Sequence, residues 1–271
     1  MRVYISVDIE GISTVVNNTS TGITGHDYGR ARRQMTAEAN AAVLGALAAG
    51  ATEIVVNDSH GSMTNLIPEE LHPAAELIQG RVKPLLMMAG IDGSFDAAIF
   101  IGYHARMHQS GILSHTISGG TVSNVYLNGQ PLGETAINAA IAGYYQVPVV
   151  CVSGDNEACQ EAITTLGTVE TVAVKKAITR FSARSLHPQR ACQLIEAGVK
   201  QALENVDSYR PYCPEGPYTF KVQFIQAGQA DAAAMMPGTT RVDASTVSFS
   251  HADYIEAFRG LRCMISLASQ A

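Results

Sequence analysis

Four short apolar runs punctuate the first 155 residues, and polar residues follow most of them closely. They are Val3 to Val7, Glu53 to Asn57, Ala97 to Gly102 and Val147 to Val152. Nearly continuous apolar runs of this length read as buried parallel strands. Between the first two, Met35, Ala39, Ala42, Val43, Ala46 and Leu47 share one face of a helix that Gly50 closes. Alternation of strand and helix predicts an α/β fold with a mostly parallel central sheet flanked by helices. Asn128-Gly129 in "VSNVYLNGQPLG" signals a hairpin, and the helix "ETAINAAIAGYY" follows it. Farther on come a strand in "TVETVAVKKAI", a helix in "HPQRACQLIEAGVKQALENV" and a proline-rich linker, "PYCPEGPY". Residues 218–271 read strand, helix, strand, helix. The expected division is 1–210 for the main α/β region, carrying the candidate chemistry, and 211–271 for a smaller C-terminal α/β section packing on it.

Composition narrows the function. A chain of 271 residues with 46% hydrophobic and 15% charged content has enough apolar matter for a sizeable core, which excludes disorder. A net charge of -6 without any Lys/Arg run argues against nucleic acid or an anionic membrane as partner. The opening "MRVYISVDIE" meets acids too early for a signal peptide, and no uncharged stretch reaches the roughly 18–20 apolar residues of a membrane span. A soluble, cytoplasmic protein is expected. The five cysteines form no CxxC pair, as suits reduced thiols, and Cys151 at the end of "VPVVC" reads as a buried small hydrophobe.

Candidate chemistry gathers just beyond the apolar runs, where open α/β sheets hold their sites. In an extended strand Asp8 and Glu10 would share a face, and two adjacent carboxylates call for a positive partner. Asp58 and His60 follow the second run, and His104 and His108 the third. His115 lies in "GILSHT", and Glu134 opens a helix in "LGETAIN". Asp8, Glu10, His60, His104 and Glu134 form an oxygen and nitrogen set suited to Zn²⁺. Three carboxylates balance most of the charge on two divalent ions, which favours a two-metal site. Each residue also has a plain structural explanation. A strand-end histidine can be a hydrogen-bonded core residue, Asp58 a turn cap, and Glu134 a helix-dipole partner. Spacing alone leaves both readings open.

The stretches "SVDIEGIS", "VNDSHGSMTNL", "GYHAR", "SHT", "GETAINAAIAGYYQVPV", "SGD" and "MPGT", in this order, run from the N-terminus past residue 235. Together they resemble the zinc-dependent D-aminopeptidases of peptidase family M55. The resemblance implies two zinc ions per subunit bridged by Asp8, with Glu10 and His60 on one ion and His104 and Glu134 on the other. It implies that His115 is the catalytic side chain beside the metals, as base or nucleophile. It further implies short peptide substrates with N-terminal D-residues such as D-Ala-D-Ala, and a homo-oligomeric ring, a decamer, with an inner compartment. His108 has no place in the family's motif. His72 and His187 precede prolines, and His251 reads as a local cap or surface residue. Asn138, one helical turn after Glu134, is a candidate for binding the peptide backbone or for a core hydrogen bond. Asp58 is a candidate for orienting His60. Two rivals remain: a dinuclear hydrolase of another bond (a γ-linked peptide, an amide or a phosphoester), or a metal- or peptide-binding protein without catalysis.

Overall fold

The computed structural model describes residues 1–271. In chain order the first half contains β1 (Arg2–Val7), α1 (Tyr28–Ala48), β2 (Glu53–Asp58), β3 (Ala75–Ile78), β4 (Ala97–Tyr103), β5 (Val122–Leu127) and β6 (Gln130–Leu132). The second half contains α2 (Glu134–Tyr144), β7 (Val149–Asp155), α3 (Asn156–Leu166), β8 (Glu170–Thr179), β9 (Ser182–Ser185) and α4 (Pro188–Glu204). It closes with β10 (Tyr218–Phe224), α5 (Ala227–Ala233), β11 (Thr240–Arg241), β12 (Thr246–His251) and α6 (Tyr254–Ala268).

Seven strands form the main sheet in the order β3-β2-β1-β4-β7-β8-β9, all parallel except the antiparallel edge strand β9. The predicted α/β class and parallel sheet are therefore observed. Alternation along β1 sends Val3, Ile5 and Val7 into one apolar cluster, with residues of α1 and α4, while Tyr4 faces the other, with α2 and α6. Burial on both faces explains why these strands read as apolar runs rather than as strict alternation.

α1 buries Met35, Ala39, Ala42, Val43 and Ala46 as the pattern predicts. Beyond it, Gly50 adopts φ +87°, letting the Ala51 N–H reach back to the Ala46 carbonyl. Asn128 and Gly129, both with positive φ, make the β5–β6 turn. The last predicted run starts later than expected, at Val149, because Gln146 has φ +63° and Pro148 follows.

The smaller sheet does not follow the 210/211 division. Its order is β11-β12-β10-β5-β6, so two strands from 122–132 complete a sheet whose other three come from the C-terminal section. β10 lies between β5 and β12, antiparallel to both. Pairing between strands some ninety residues apart leaves no local trace in the sequence.

Candidate active site

β1 has β2 on one side and β4 on the other, so the chain leaves it in one direction to reach β2 and β3 and returns on its far side to build β4 and β7. The crevice outside the carboxyl ends of such strands is where an open α/β sheet takes its ligands. Asp8 follows β1, His60 follows β2 and His104 follows β4. Glu134 is the first residue of α2, and His115 comes from the loop between β4 and β5.

Asp8 and Glu10 do converge, but by a turn and not by strand alternation. β1 ends at Val7, and the Ile12 N–H donates to the Ile9 carbonyl. Two glycines make this possible. Gly11 sits so close to β4 that a Cβ would lie 2.0 Å from the Tyr103 carbonyl oxygen. Gly102 has φ +71°, and a Cβ there would lie 2.2 Å from the Asp8 carbonyl oxygen.

The geometry divides into two triads that share Asp8. Its Oδ1 lies 3.2 Å from His60 Nδ1, which is 3.0 Å from Glu10 Oε2. Its Oδ2 lies 3.5 Å from His104 Nε2, which is 3.4 Å from Glu134 Oε1. Two ligands of one tetrahedral zinc, each at about 2.0–2.1 Å, stand about 3.3 Å apart, so both triads have the spacing of ligand pairs. All three carboxylates are buried, and neither Glu10 Oε2 nor His104 Nε2 makes a hydrogen bond within the chain. Both histidines have their other ring nitrogen on a backbone carbonyl, His60 Nε2 on Thr21 at 2.9 Å and His104 Nδ1 on Ala105 at 3.0 Å. That leaves one nitrogen of each ring to face the carboxylates as an acceptor, the arrangement that supports metal ligation. The donor set fits zinc.

The electrostatics describe a cluster that needs positive charge. Burial and the neighbouring Glu10 push Asp8 up to about 8. Burial acts on Glu10 in the same sense, but His60 outweighs it and holds that carboxyl well below its usual range. For His60 and His104, burial opposes protonation and the facing carboxylates overcome it, raising both imidazoles. His115 behaves differently, because burial and then His104 lower it.

His115 stacks on His104 with ring centroids 4.2 Å apart, and its Nδ1 faces the Leu113 carbonyl at 2.9 Å. Its Nε2 stands 3.9 Å from Glu134 Oε1. A cavity of about 180 Å³ is lined by Asp8, Glu10, His60, His115 and Glu134, with Met63, Leu86, Met87 and Ile117 among its walls. A larger apolar groove of about 810 Å³ along Met235, Met236 and Leu267 holds no carboxylate or imidazole.

The sequence model of peptidase family M55, described as D-aminopeptidase, matches residues 1–263. The chain belongs to that family. A D-aminopeptidase of Bacillus subtilis (strain 168) is 42% identical to this M55 chain over 269 residues, covering 99% of this chain and 98% of that protein. A solved structure, described as the Zn-dependent D-aminopeptidase DppA from Bacillus subtilis, a self-compartmentalizing protease, superposes with a TM-score of 0.97 at 41% identity. The match covers 100% of this chain and 99% of that one.

Other residues singled out from the sequence fall outside the cluster of this M55 chain. Asn138 does not line the cavity. Its amide nitrogen donates to Tyr103 Oη at 3.0 Å and to Met87 Sδ at 3.1 Å, which makes it part of the wall behind the cavity. Asp58 does not touch the His60 ring. It accepts from the backbone N–H groups of Asn65 and Leu66 and from the Asn65 amide, which also donates to the His60 carbonyl at 2.6 Å. Asp58 thus fixes the loop that carries His60. His108 is exposed, and His72 and His187 accept from nearby backbone N–H groups. His251 ends β12, and Asp253 caps α6 in its place.

Lys175 was not picked out by the sequence. Fully buried in β8, its ammonium donates to the carbonyls of Glu10, Ile12 and Val15 at 2.5, 2.8 and 2.6 Å. It pins the loop that presents Asp8 and Glu10.

Proposed function

We propose that this M55 chain is a zinc-dependent aminopeptidase that removes N-terminal D-residues from short peptides such as D-Ala-D-Ala. The observation that carries the reading is the division of Asp8, each of whose carboxylate oxygens faces its own imidazole and second carboxylate. In this reading Asp8 would serve two zinc ions per subunit, with Glu10 and His60 as the further residues holding one and His104 and Glu134 those holding the other. A zinc pair supplies Lewis-acid polarisation of a peptide carbonyl and lowers the pKa of water to near neutrality.

The chain's own residues do the rest. His115, held by its Nδ1 against the Leu113 carbonyl, presents Nε2 on the cavity side. Burial lowers its pKa and so favours the unprotonated form that a base needs. As general base it takes a proton from the attacking water and returns it to the leaving amine. Direct attack by His115 would add a covalent intermediate that activated water does not need. The Ile117 N–H donates to Glu134 Oε1 at 2.6 Å and holds that carboxylate in place against the cavity wall. A small cavity with Met63, Leu86 and Met87 in its walls suits a residue with a short side chain.

The proposed setting is a cytoplasmic homo-oligomer. All five cysteines are free, as befits a reducing compartment, and no helix is long and apolar enough to cross a membrane. The decamer follows from the family resemblance, and the solved relative is described as self-compartmentalizing.

The test is hydrolysis of D-Ala-D-Ala and L-Ala-L-Ala by the zinc-loaded protein, with metal content measured on the same sample. Two zinc ions per chain and faster cleavage of the D-peptide are expected. Two ions with neither peptide cleaved would redirect the search to γ-linked, amide and phosphoester substrates.

A further inference from the structure

The catalytic cavity continues into a second concavity of about 360 Å³, and Gly61, Arg81, Leu86 and Ile117 line both. Arg81 therefore stands at the junction. It is the only side chain lining the catalytic cavity that carries a permanent positive charge, and it is exposed. Arg106 and Arg262 are fastened to backbone carbonyls, but the Arg81 guanidinium has no hydrogen bond or ion pair within the chain. The segment just after it is held from the far side, where Arg262 of α6 donates to the carbonyls of Lys83 and Pro84. The charge of Arg81 is near enough to Arg262 to depress that side chain's own pKa, secondary to its burial. The second concavity is thus electropositive beside a centre built of three carboxylates.

A short peptide has matching ends. With its scissile carbonyl at the Asp8, Glu10 and Glu134 cluster, a dipeptide carries its terminal carboxylate roughly 3.5 Å farther along the chain, and a tripeptide about 7 Å. Arg81 lines the same cavity as that cluster, on the side that opens into the second concavity. A free guanidinium offers paired N–H donors in the plane that a carboxylate accepts.

We propose that Arg81 is the specificity-determining residue that binds the C-terminal carboxylate of the substrate, so that the enzyme selects di- and tripeptides with a free acid end. This rests on the aminopeptidase reading above. The contact is made equally in the ground and transition states, so its loss appears in KM and not in kcat.

The test compares D-Ala-D-Ala with its C-terminal amide, using zinc-loaded wild type, R81Q and R81K. Wild type is expected to favour the free acid by about tenfold or more in kcat/KM, as befits a charge-assisted pair. R81Q should bring the ratio to within about twofold, through a raised KM for the acid, and R81K should fall between. Equal cleavage of acid and amide by wild type overturns the assignment without needing any variant to fold, and so does an unchanged ratio in R81Q. Wild type that carries two zinc ions and cleaves neither compound overturns the aminopeptidase reading and the role of Arg81 with it.

Discussion

The ammonium of Lys175 lies 2.5 Å from the carbonyl oxygen of Glu10 and also holds Ile12 and Val15. A buried cation on β8 thereby fixes the turn that carries two of the three cluster carboxylates. K175M removes the donor and leaves three carbonyls without it. Stability should fall by about 2–4 kcal/mol, and more added zinc should be needed to restore activity. Chemical denaturation and activity titrated against zinc would check both.

H115A should lower kcat by about 10²–10⁴ while leaving zinc content at the wild-type level, because His115 is assigned to proton transfer. Loss of metal together with activity would identify it as a ligand. The pH profile supplies a second reading. Protonated His115 cannot act as base, and burial lowers its pKa from 6.5. Activity should therefore persist as pH falls through 6.5, and the acid limb of kcat should have its midpoint below that value.

G102A should displace Asp8, because a Cβ would lie 2.2 Å from the Asp8 carbonyl oxygen and φ is +71°. A stability loss of about 1–3 kcal/mol and reduced zinc content are expected. G129A is the control. It meets open space at φ +87°, so it should cost stability and leave zinc content intact. Denaturation curves and metal analysis on the two variants separate strain at the site from strain in a hairpin.

Thiol titration at pH 8 should find at most two of the five cysteines reactive in the native protein and all five after denaturation. Burial pushes Cys151 up well beyond the usual thiol range, Cys159 to about 12 and Cys192 to about 11. Cys213 and Cys263 are exposed. Prompt reaction of a third thiol would show that the sheet opens around Cys151 or that α3 or α4 does.

The sequence made the gathering of Asp8, His60 and His104 legible because each lies just past a buried parallel strand, and three neighbouring strands end on one side. The turn that joins Asp8 to Glu10 was not legible, since a strand of one more turnless step would have aligned the same two side chains. Lys175 escaped for a different reason. Along β8, Val172 and Val174 are buried and Ala173 is exposed, so strict alternation predicts an exposed Lys175. The pairing with β7 shifts register between Gly154 and Asp155, and the irregularity carries Lys175 inward. Arg81 carries no signal at all in a loop, because its position matters only once α6, far away in sequence, lines the second concavity with it.

The grip of Arg262 on Lys83 and Pro84, with Ser269 and Gln270 lining the second concavity, divides labour along the polypeptide. Residues that would perform the reaction all come from 8–134, whereas the last helix lines the concavity beside them. Variation at the helix positions that line this concavity would change its shape and charge while the carboxylates and imidazoles stay where the strands put them. Diet and chemistry are thus separable, and a library confined to the C-terminal helix is the natural place to retune one without disturbing the other.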